Sequence, residues 1–117
     1  MRVLVVEDDA DGAEVLSDLV HSYGHDAAVA STGQAALDLD DSWSPDLILL
    51  DVALPDMSGH DVARALRARG RDRLRIIALS GHVRAEDVAR SVEAGCDEHL
   101  PKPAPIAELE RLLRARA

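Results

Sequence analysis

The chain has 117 residues, and its 13 basic and 22 acidic side chains give a formal net charge of −9. With 47% hydrophobic residues it is too apolar for a disordered chain, and no apolar stretch is long enough to cross a membrane. The negative charge disfavours nucleic-acid binding, because phosphate contacts need clustered positive charge. The N-terminus lacks a signal-peptide pattern, and the single Cys96 excludes an internal disulfide and a cysteine-based zinc site. We expect a soluble cytoplasmic protein in which residues 1–117 form one domain with no effector domain.

Short aliphatic runs alternate with helical patterns along the chain. The runs predict strands at residues 3–6, 27–30, 47–50 and 76–79, and a weaker one at 99–100. Runs this short and aliphatic are typical of strands that are buried on both faces of a parallel sheet.

Each run is followed by a helical pattern. The first helix has one apolar stripe and ends before Gly24; the stripe contains Val15, Leu16, Leu19, Val20 and Tyr23. Capping-box spacing predicts the next two helix starts, at Ser31 with Gln34 and at Ser58 with Asp61. The fourth helix is predicted at Ala85–Ala94, closed by Gly95, and the fifth at 106–116, opened by Pro105.

Strand and helix therefore alternate five times, which predicts an α/β fold. The intervals of roughly 20–28 residues suit βαβ units, and a closed barrel would need more strands. We expect a doubly wound, five-stranded parallel sheet between two helical layers, three layers in all. The arginine-rich stretch 67–75 is predicted to be a solvated helix end and loop.

The carboxyl ends of the predicted strands carry the candidate chemistry. They bring together, in chain order, Glu7-Asp8-Asp9, Asp51, Ser80 and Lys102. Ligands bind at this edge of open α/β sheets. Clustered carboxylates repel one another unless a cation lies among them, and such oxygen ligands suit Mg²⁺. With one lysine and one hydroxyl the site could stabilise a phosphoryl group in transfer, with Asp51 as the nucleophile that forms an aspartyl phosphate.

Lys102 is the only lysine beside twelve arginines, and it stands between Pro101 and Pro103. A flexible ammonium group suits a phosphate that a planar guanidinium would fit poorly. This placement predicts a fixed role in phosphate binding.

Four motifs, in this order, resemble the receiver domain of two-component response regulators. They are Val3-Leu4-Val5-Val6-Glu7-Asp8, Asp51 with Leu54-Pro55-Asp56-Met57-Ser58-Gly59, Ala78-Leu79-Ser80-Gly81, and Gly95-Cys96-Asp97-Glu98-His99-Leu100-Pro101-Lys102-Pro103. The resemblance covers essentially the whole chain and implies a flavodoxin-like sheet with strand order 2-1-3-4-5. The stretch from Asp97 to Pro103 is more similar to receiver modules of hybrid sensor kinases and some single-domain regulators than to those of DNA-binding regulators.

The resemblance implies a role for each candidate residue. Asp51 would accept the phosphoryl group, Asp8 would bind Mg²⁺ directly, and Glu7 would act through water. The backbone carbonyl of Ala53 would be the third protein ligand. Ser80 matches the switch hydroxyl, and Lys102 matches the lysine that pairs with the phosphoryl group.

The resemblance also implies partners and an activity. The donor would be the phosphohistidine of a sensor histidine kinase or of a histidine phosphotransfer protein. The chain would catalyse its own phosphorylation and autodephosphorylation without being a conventional enzyme, and it would be a monomer or a weak homodimer. The peptide bond between Lys102 and Pro103 would be cis.

The chain departs from the family pattern at three places. His99 stands where the family has an aromatic switch residue, and Ala104 stands where a Phe often follows the lysine and proline. His82 and Ala53 flank the expected route of the hydrolytic water. The resemblance therefore does not imply a switch by rotation of an aromatic ring. It also does not predict how long the phosphoryl group stays on Asp51.

Two other functions fit parts of the sequence. The chain could be an interaction module that works without phosphorylation. It could also be a phosphatase of the haloacid type, but that class needs a second Asp two residues after the nucleophile, where Ala53 stands.

Several local patterns are expected to be structural only. The acids from Glu7 to Asp18 nearly match a calcium-binding loop but follow a strand, and His21 and His25 are read as surface histidines. Three further residues are expected to pack without chemistry: Cys96 in the interior, and Tyr23 and Trp43 near the surface.

Overall fold

The computed structural model describes residues 1–114. Five strands alternate with five helices: β1 Arg2–Val6, α1 Ala10–Ser22, β2 Asp26–Ala30, α2 Gly33–Trp43, β3 Leu47–Asp51, α3 Gly59–Ala68, β4 Arg75–Ser80, α4 Ala85–Ala94, β5 Glu98–Pro101 and α5 Ile106–Arg114. Every predicted element is present. The predicted end of the last helix at Arg116 lies outside the described residues.

All strands are parallel, and their order is β2-β1-β3-β4-β5, as the resemblance implied. Alternate side chains of the sheet point to opposite faces. Leu4, Ile48 and Ile76 pack with α2, α3 and α4, whereas Val5 and Leu49 pack with α1 and α5 on the other face. The three-layer prediction is confirmed.

Burial separates the central strands from the edge of the sheet. All residues of β3 are buried, and only the first residue of β1 and the two end residues of β4 are not. The expectation of burial on both faces is wrong for β2, where Val29 is 45% exposed. As an edge strand, β2 has one neighbour, and the helices cover it only in part.

The helix ends follow local chemistry, with two corrections. The N-cap of α2 is Thr32, whose hydroxyl accepts a hydrogen bond from the N–H of Ala35 at 3.0 Å, and not Ser31. Ser58 caps α3 as predicted, but Asp61 pairs with Arg64 instead of reaching back to the cap. The first correction reflects a choice between two adjacent capping residues, and the second a competing ion pair; spacing alone decides neither.

Several single-residue expectations are also settled by burial. Val15 is 65% exposed, so the apolar stripe of α1 is narrower than predicted. Cys96 is buried as expected, and burial raises the pKa of its thiol to about 11. Tyr23 and Trp43 are half-buried, with the guanidinium groups of Arg114 and Arg2 over their rings.

His21 is exposed, but His25 is half-buried, which corrects its reading as a surface histidine. Its ring nitrogens hydrogen-bond the N-terminal amine of Met1 and the carbonyl oxygen of Leu113. The calcium-loop pattern is excluded because the segment before Glu7 is the strand β1.

The arginine-rich stretch is not a freely solvated loop. Arg67 donates hydrogen bonds to the carbonyl oxygens of Gly95 and Leu74. Arg69 and Arg71 both contact the carboxylate of Asp40, which is only 4% exposed. A buried carboxylate and free carbonyl groups need donors, and these arginines supply them.

Candidate functional site

The site lies at the carboxyl edge of the sheet, where β1 and β3 end side by side. Glu7 follows β1, and its N–H donates to the carbonyl oxygen of Ala30 at 3.0 Å, which fixes the strand end. Asp51 is the last residue of β3. Val6 pairs with Leu50 in the register, so the two acidic residues follow neighbouring strands. Both are only 3% exposed.

Lys102 reaches this pair of carboxylates from the other side of β4. Its Nζ lies 2.9 Å from Oδ2 of Asp51 and 2.5 Å from Oε1 of Glu7. The lysine follows β5 directly, and the peptide bond between Lys102 and Pro103 is cis, as the resemblance implied. One ammonium group is therefore shared by two buried carboxylates.

Burial and charge set the ionisation of these groups. Burial raises the pKa of Glu7, and the hydrogen bond from Lys102 offsets this only in part. For Lys102, burial lowers the pKa, but the hydrogen bonds to Glu7 and Asp51 outweigh it and leave the pKa raised. The ammonium group therefore stays charged, and among residues 1–114 it is the one positive group that contacts the two buried acidic side chains.

A third carboxylate completes an oxygen cluster. Ligand oxygens of Glu7, Asp8 and Asp51 all lie within 4.8 Å of one another, and Asp8 is exposed. Within residues 1–114, this is the one group of three or more acidic, histidine or cysteine side chains close enough to share an ion. Hard oxygen donors, partly open to solvent and carrying excess negative charge, fit Mg²⁺.

The loop after β3 is held tightly against Asp51. The N–H of Ala53 donates to Oδ1 of Asp51 at 3.0 Å, and Ala53 pairs with Ser58 in an isolated bridge. A Cβ at Gly59 would lie 2.4 Å from the carbonyl oxygen of Asp51, so the start of α3 approaches the strand end as only glycine permits.

Asp56, in the same loop, has a role that the sequence analysis missed. Its carboxylate accepts hydrogen bonds from the N–H groups of Gly33 and Gln34 at 2.8 and 3.0 Å. These bonds lower the pKa of Asp56 and tie the loop to the first turn of α2. No local spacing could have shown this contact, because its partners are more than twenty residues away.

Ser80 ends β4 and lines, with Asp51, His82 and His99, a cavity of about 380 Å³. Its hydroxyl oxygen accepts a hydrogen bond from the N–H of His82 at 3.0 Å. His99 bonds Ser91 through one ring nitrogen and the carbonyl oxygen of His82 through the other. The sequence analysis singled out His99 but missed Ser91.

All the residues predicted for the site therefore lie at one edge of the sheet. The model of the response regulator receiver domain family matches residues 3–114. The chain belongs to this family. Receiver domains of two-component systems accept a phosphoryl group from histidine kinases onto an aspartate and switch an output. They generally bind Mg²⁺ at an acidic pocket.

Curated relatives of this receiver domain include DNA-binding regulators. The DNA-binding response regulator MtrA of Mycobacterium tuberculosis is 41% identical over 115 residues, which are 98% of this chain and 50% of that protein. The response regulator MprA of Mycobacterium avium is 37% identical, with the same coverage. The chain thus spans about half the length of these relatives. The DNA binding that the description of MtrA states does not match the expectation of no nucleic-acid partner, although this chain matches only the receiver part of such regulators.

Solved structures agree on the fold. The receiver domain of the Francisella response regulator 1452 has a TM-score of 0.89 and 29% identity, covering 96% of this chain and 92% of its own. DrrB of Thermotoga maritima, an OmpR/PhoB homologue, has a TM-score of 0.85 and 30% identity, covering 97% of this chain and 51% of its own. Within residues 1–114, no helix is both long and apolar enough to cross a membrane.

Proposed function

We propose that this receiver domain accepts a phosphoryl group on Asp51 from a partner phosphohistidine, in a Mg²⁺-dependent reaction. The observation that carries the proposal is the placement of Asp51. It is buried, it lies 2.9 Å from the only lysine, and its oxygens are within 4.8 Å of those of Glu7 and Asp8. A nucleophile between a cation site and an ammonium group is suited to attack a phosphoryl group.

The side chains would divide the work of the transfer. Oδ2 of Asp51 would attack the phosphorus, while the donor imidazole nitrogen takes the electron pair of the breaking P–N bond. Oδ1 stays fixed by the N–H of Ala53. Lys102 would move its ammonium group from the carboxylates to a phosphoryl oxygen. Because this ammonium group is already in the site, no further cation has to leave water for the transfer.

Three acidic side chains and one backbone carbonyl would hold Mg²⁺. These ligands are Glu7, Asp8, Asp51 and the carbonyl oxygen of Ala53, with Glu7 acting through water. When bound, Mg²⁺ would neutralise charge on the transferred phosphoryl oxygens. Asp8 is exposed and can meet the ion as it arrives from solvent, whereas the buried carboxylates fix its final position.

The conformational change that follows phosphorylation would begin at Ser80. Its hydroxyl oxygen accepts from the N–H of His82, so its own O–H is free to donate to a phosphoryl oxygen on Asp51. Phosphorylation would replace the carboxylate of Asp51 with an acyl phosphate of about −2 charge, draw Ser80 toward it and repack the surface formed by α4, β5 and α5.

The donor would dock on a groove beside the site. The groove has a volume of about 830 Å³, and Glu7 and Lys102 line it together with apolar residues of α1 and α5. Val15 and Ile106 in its walls are 65% and 56% exposed. A protein that brings a phosphohistidine to Asp51 must cover this surface, so we assign it to the sensor kinase or phosphotransfer protein. The cytoplasmic location, the single domain and the monomeric or weakly dimeric state stay predictions.

Incubation with Mg²⁺ and acetyl phosphate tests the proposal. We expect a mass gain of one phosphoryl group in the native protein and none in Asp51→Asn. Asp38→Asn, the same change on the exposed side of α2, is the control and should label normally. No adduct on the native protein would favour a docking module, and rapid turnover of many phosphoesters would favour a phosphatase; either result would contradict the proposal.

A further inference from the structure

A continuous chain of hydrogen bonds links α3 to the loop after β4. Nε2 of His60 lies 2.9 Å from Oγ of Ser91, and this oxygen lies 2.6 Å from Nδ1 of His99. Nε2 of His99 lies 3.0 Å from the carbonyl oxygen of His82. Ser91 has no exposed surface. We call His60, Ser91 and His99 the histidine–serine relay.

The relay has one consistent direction when both histidines are neutral. A carbonyl oxygen only accepts, so Nε2 of His99 must carry its proton and donate to His82. Nδ1 of His99 is then an acceptor, and the hydroxyl of Ser91 donates to it. The Ser91 oxygen in turn accepts from Nε2–H of His60. Each donor in the chain has one acceptor.

The relay ends on the residue that holds the switch hydroxyl. The carbonyl of His82 is fixed by His99, and the N–H of His82 donates to Oγ of Ser80 at 3.0 Å. His99 therefore acts on Ser80 through the backbone of His82 and does not contact the hydroxyl itself.

Charged groups from every neighbouring element surround the relay. They are Asp51, paired with Lys102, on β3; Asp61 and Arg64 on α3; Asp87 and Arg90 on α4; and His82 in the loop after β4, while Glu98, the charged residue of β5, lies on the opposite face of the sheet with Arg111. Burial, together with Arg64, His99 and Arg90, lowers the pKa of His60. The neutral form of His60 that the relay needs is therefore favoured.

We propose that the histidine–serine relay positions the switch hydroxyl Ser80 through His82, and that protonation of its two histidines releases the loop after β4. With both rings protonated, Ser91 would receive two N–H donors and its own hydrogen would have no acceptor in the relay. Two positive rings would also face each other across a buried hydroxyl. The inference concerns protein without a phosphoryl group, so it stands or fails separately from the role of Asp51.

Hydrogen exchange of the His82 amide tests the positioning. We expect Ser91→Ala to lower the protection of this amide about fivefold at about pH 8, because both hydrogen bonds of the Ser91 hydroxyl are lost and the ring of His99 is no longer held by it. Ser22→Ala on α1 removes a serine that bonds only its own helix, at Leu19, and should leave the protection unchanged. Equal protection in Ser91→Ala and in the native protein would overturn the proposal.

The pH dependence of this protection tells whether the relay acts through its hydrogen bonds or only through the packing of its side chains. Protection of the His82 amide, corrected for intrinsic exchange, should fall about tenfold or more from about pH 8 to about pH 5 in the native protein. His60→Gln keeps a donor for Ser91 and can also turn its oxygen to accept from it, so this fall should shrink to less than about threefold. The same fall in both proteins, or a ring nitrogen spectrum that shows His99 protonated on Nδ1 alone at about pH 8, would contradict the proposal.

Discussion

The receiver domain has acidic side chains buried at both ends of its parallel strands, in two clusters that differ in their charge balance. Near the starts of β3 and β4, the Asp40 cluster consists of Asp40, Asp41, Arg69 and Arg71. One buried carboxylate there meets two guanidinium groups, at 3.3 and 3.0 Å. At the carboxyl edge, two buried carboxylates and the exposed Asp8 share the one ammonium group of Lys102.

The difference shows how a structural cluster is told from a functional one. In the Asp40 cluster the positive groups balance the negative groups and also bond backbone carbonyls, so no ligand is needed. At the carboxyl edge negative charge is in excess and desolvated, which costs stability until a cation arrives. Both clusters contain a buried Asp, so burial alone would not separate them.

Breaking the Asp40 cluster should have the larger effect on stability. Asp40→Asn leaves two arginines without their shared carboxylate, and we expect the free energy of unfolding to fall by about 2 kcal/mol. The cost is moderate because the arginine side chains are 34% and 31% exposed and retain some hydration.

Urea unfolding of three proteins checks this value. Asp41→Asn is the matched control, because its side chain is 70% exposed and contacts the same Arg69. It should change the free energy of unfolding by no more than about 0.5 kcal/mol. A loss of equal size in both variants would mean that the buried carboxylate is not the centre of the cluster.

Filling the site at the carboxyl edge should have a smaller effect of opposite sign. We expect Mg²⁺, at a few times its dissociation constant, to raise the free energy of unfolding by about 1 kcal/mol. The effect should vanish in Asp8→Asn, since that variant loses an exposed ligand without disturbing the buried pair. Asp40→Asn should keep the whole effect.

Thermal unfolding with and without Mg²⁺ measures this difference, at constant ionic strength. Calcium and sodium chloride are the salt controls. Stabilisation of Asp8→Asn by Mg²⁺ to the same extent as the native protein would show that the ion binds elsewhere.

The sheet and the main site were predictable because their signals are local. Aliphatic runs at the centre of the sheet are buried on both faces, and parallel strands bring Glu7, Asp51 and Ser80 to one edge once the order is known. Lys102 could be singled out because it is the only lysine in an arginine-rich chain. These inferences needed only strand periodicity and composition.

Contacts between distant segments were not predictable. Asp56 bonds the start of α2, Asp40 bonds two arginines that are 29 and 31 residues away, and Ser91 joins two histidines from different elements. Each depends on how helices pack against the sheet, which a single sequence does not give. The choice between Ser31 and Thr32 as the cap of α2 failed for a smaller reason, since both residue types cap helices.

The central claim is that Asp51 is the residue that accepts the phosphoryl group. The most direct measurement is reduction of the phosphorylated protein with borohydride, which traps an acyl phosphate as the alcohol, followed by peptide mapping. We predict that the reduced residue is Asp51 and that Asp51→Asn yields no reduced peptide. Reduction at Glu7, at Asp8 or at any other acid in the native protein would contradict the account.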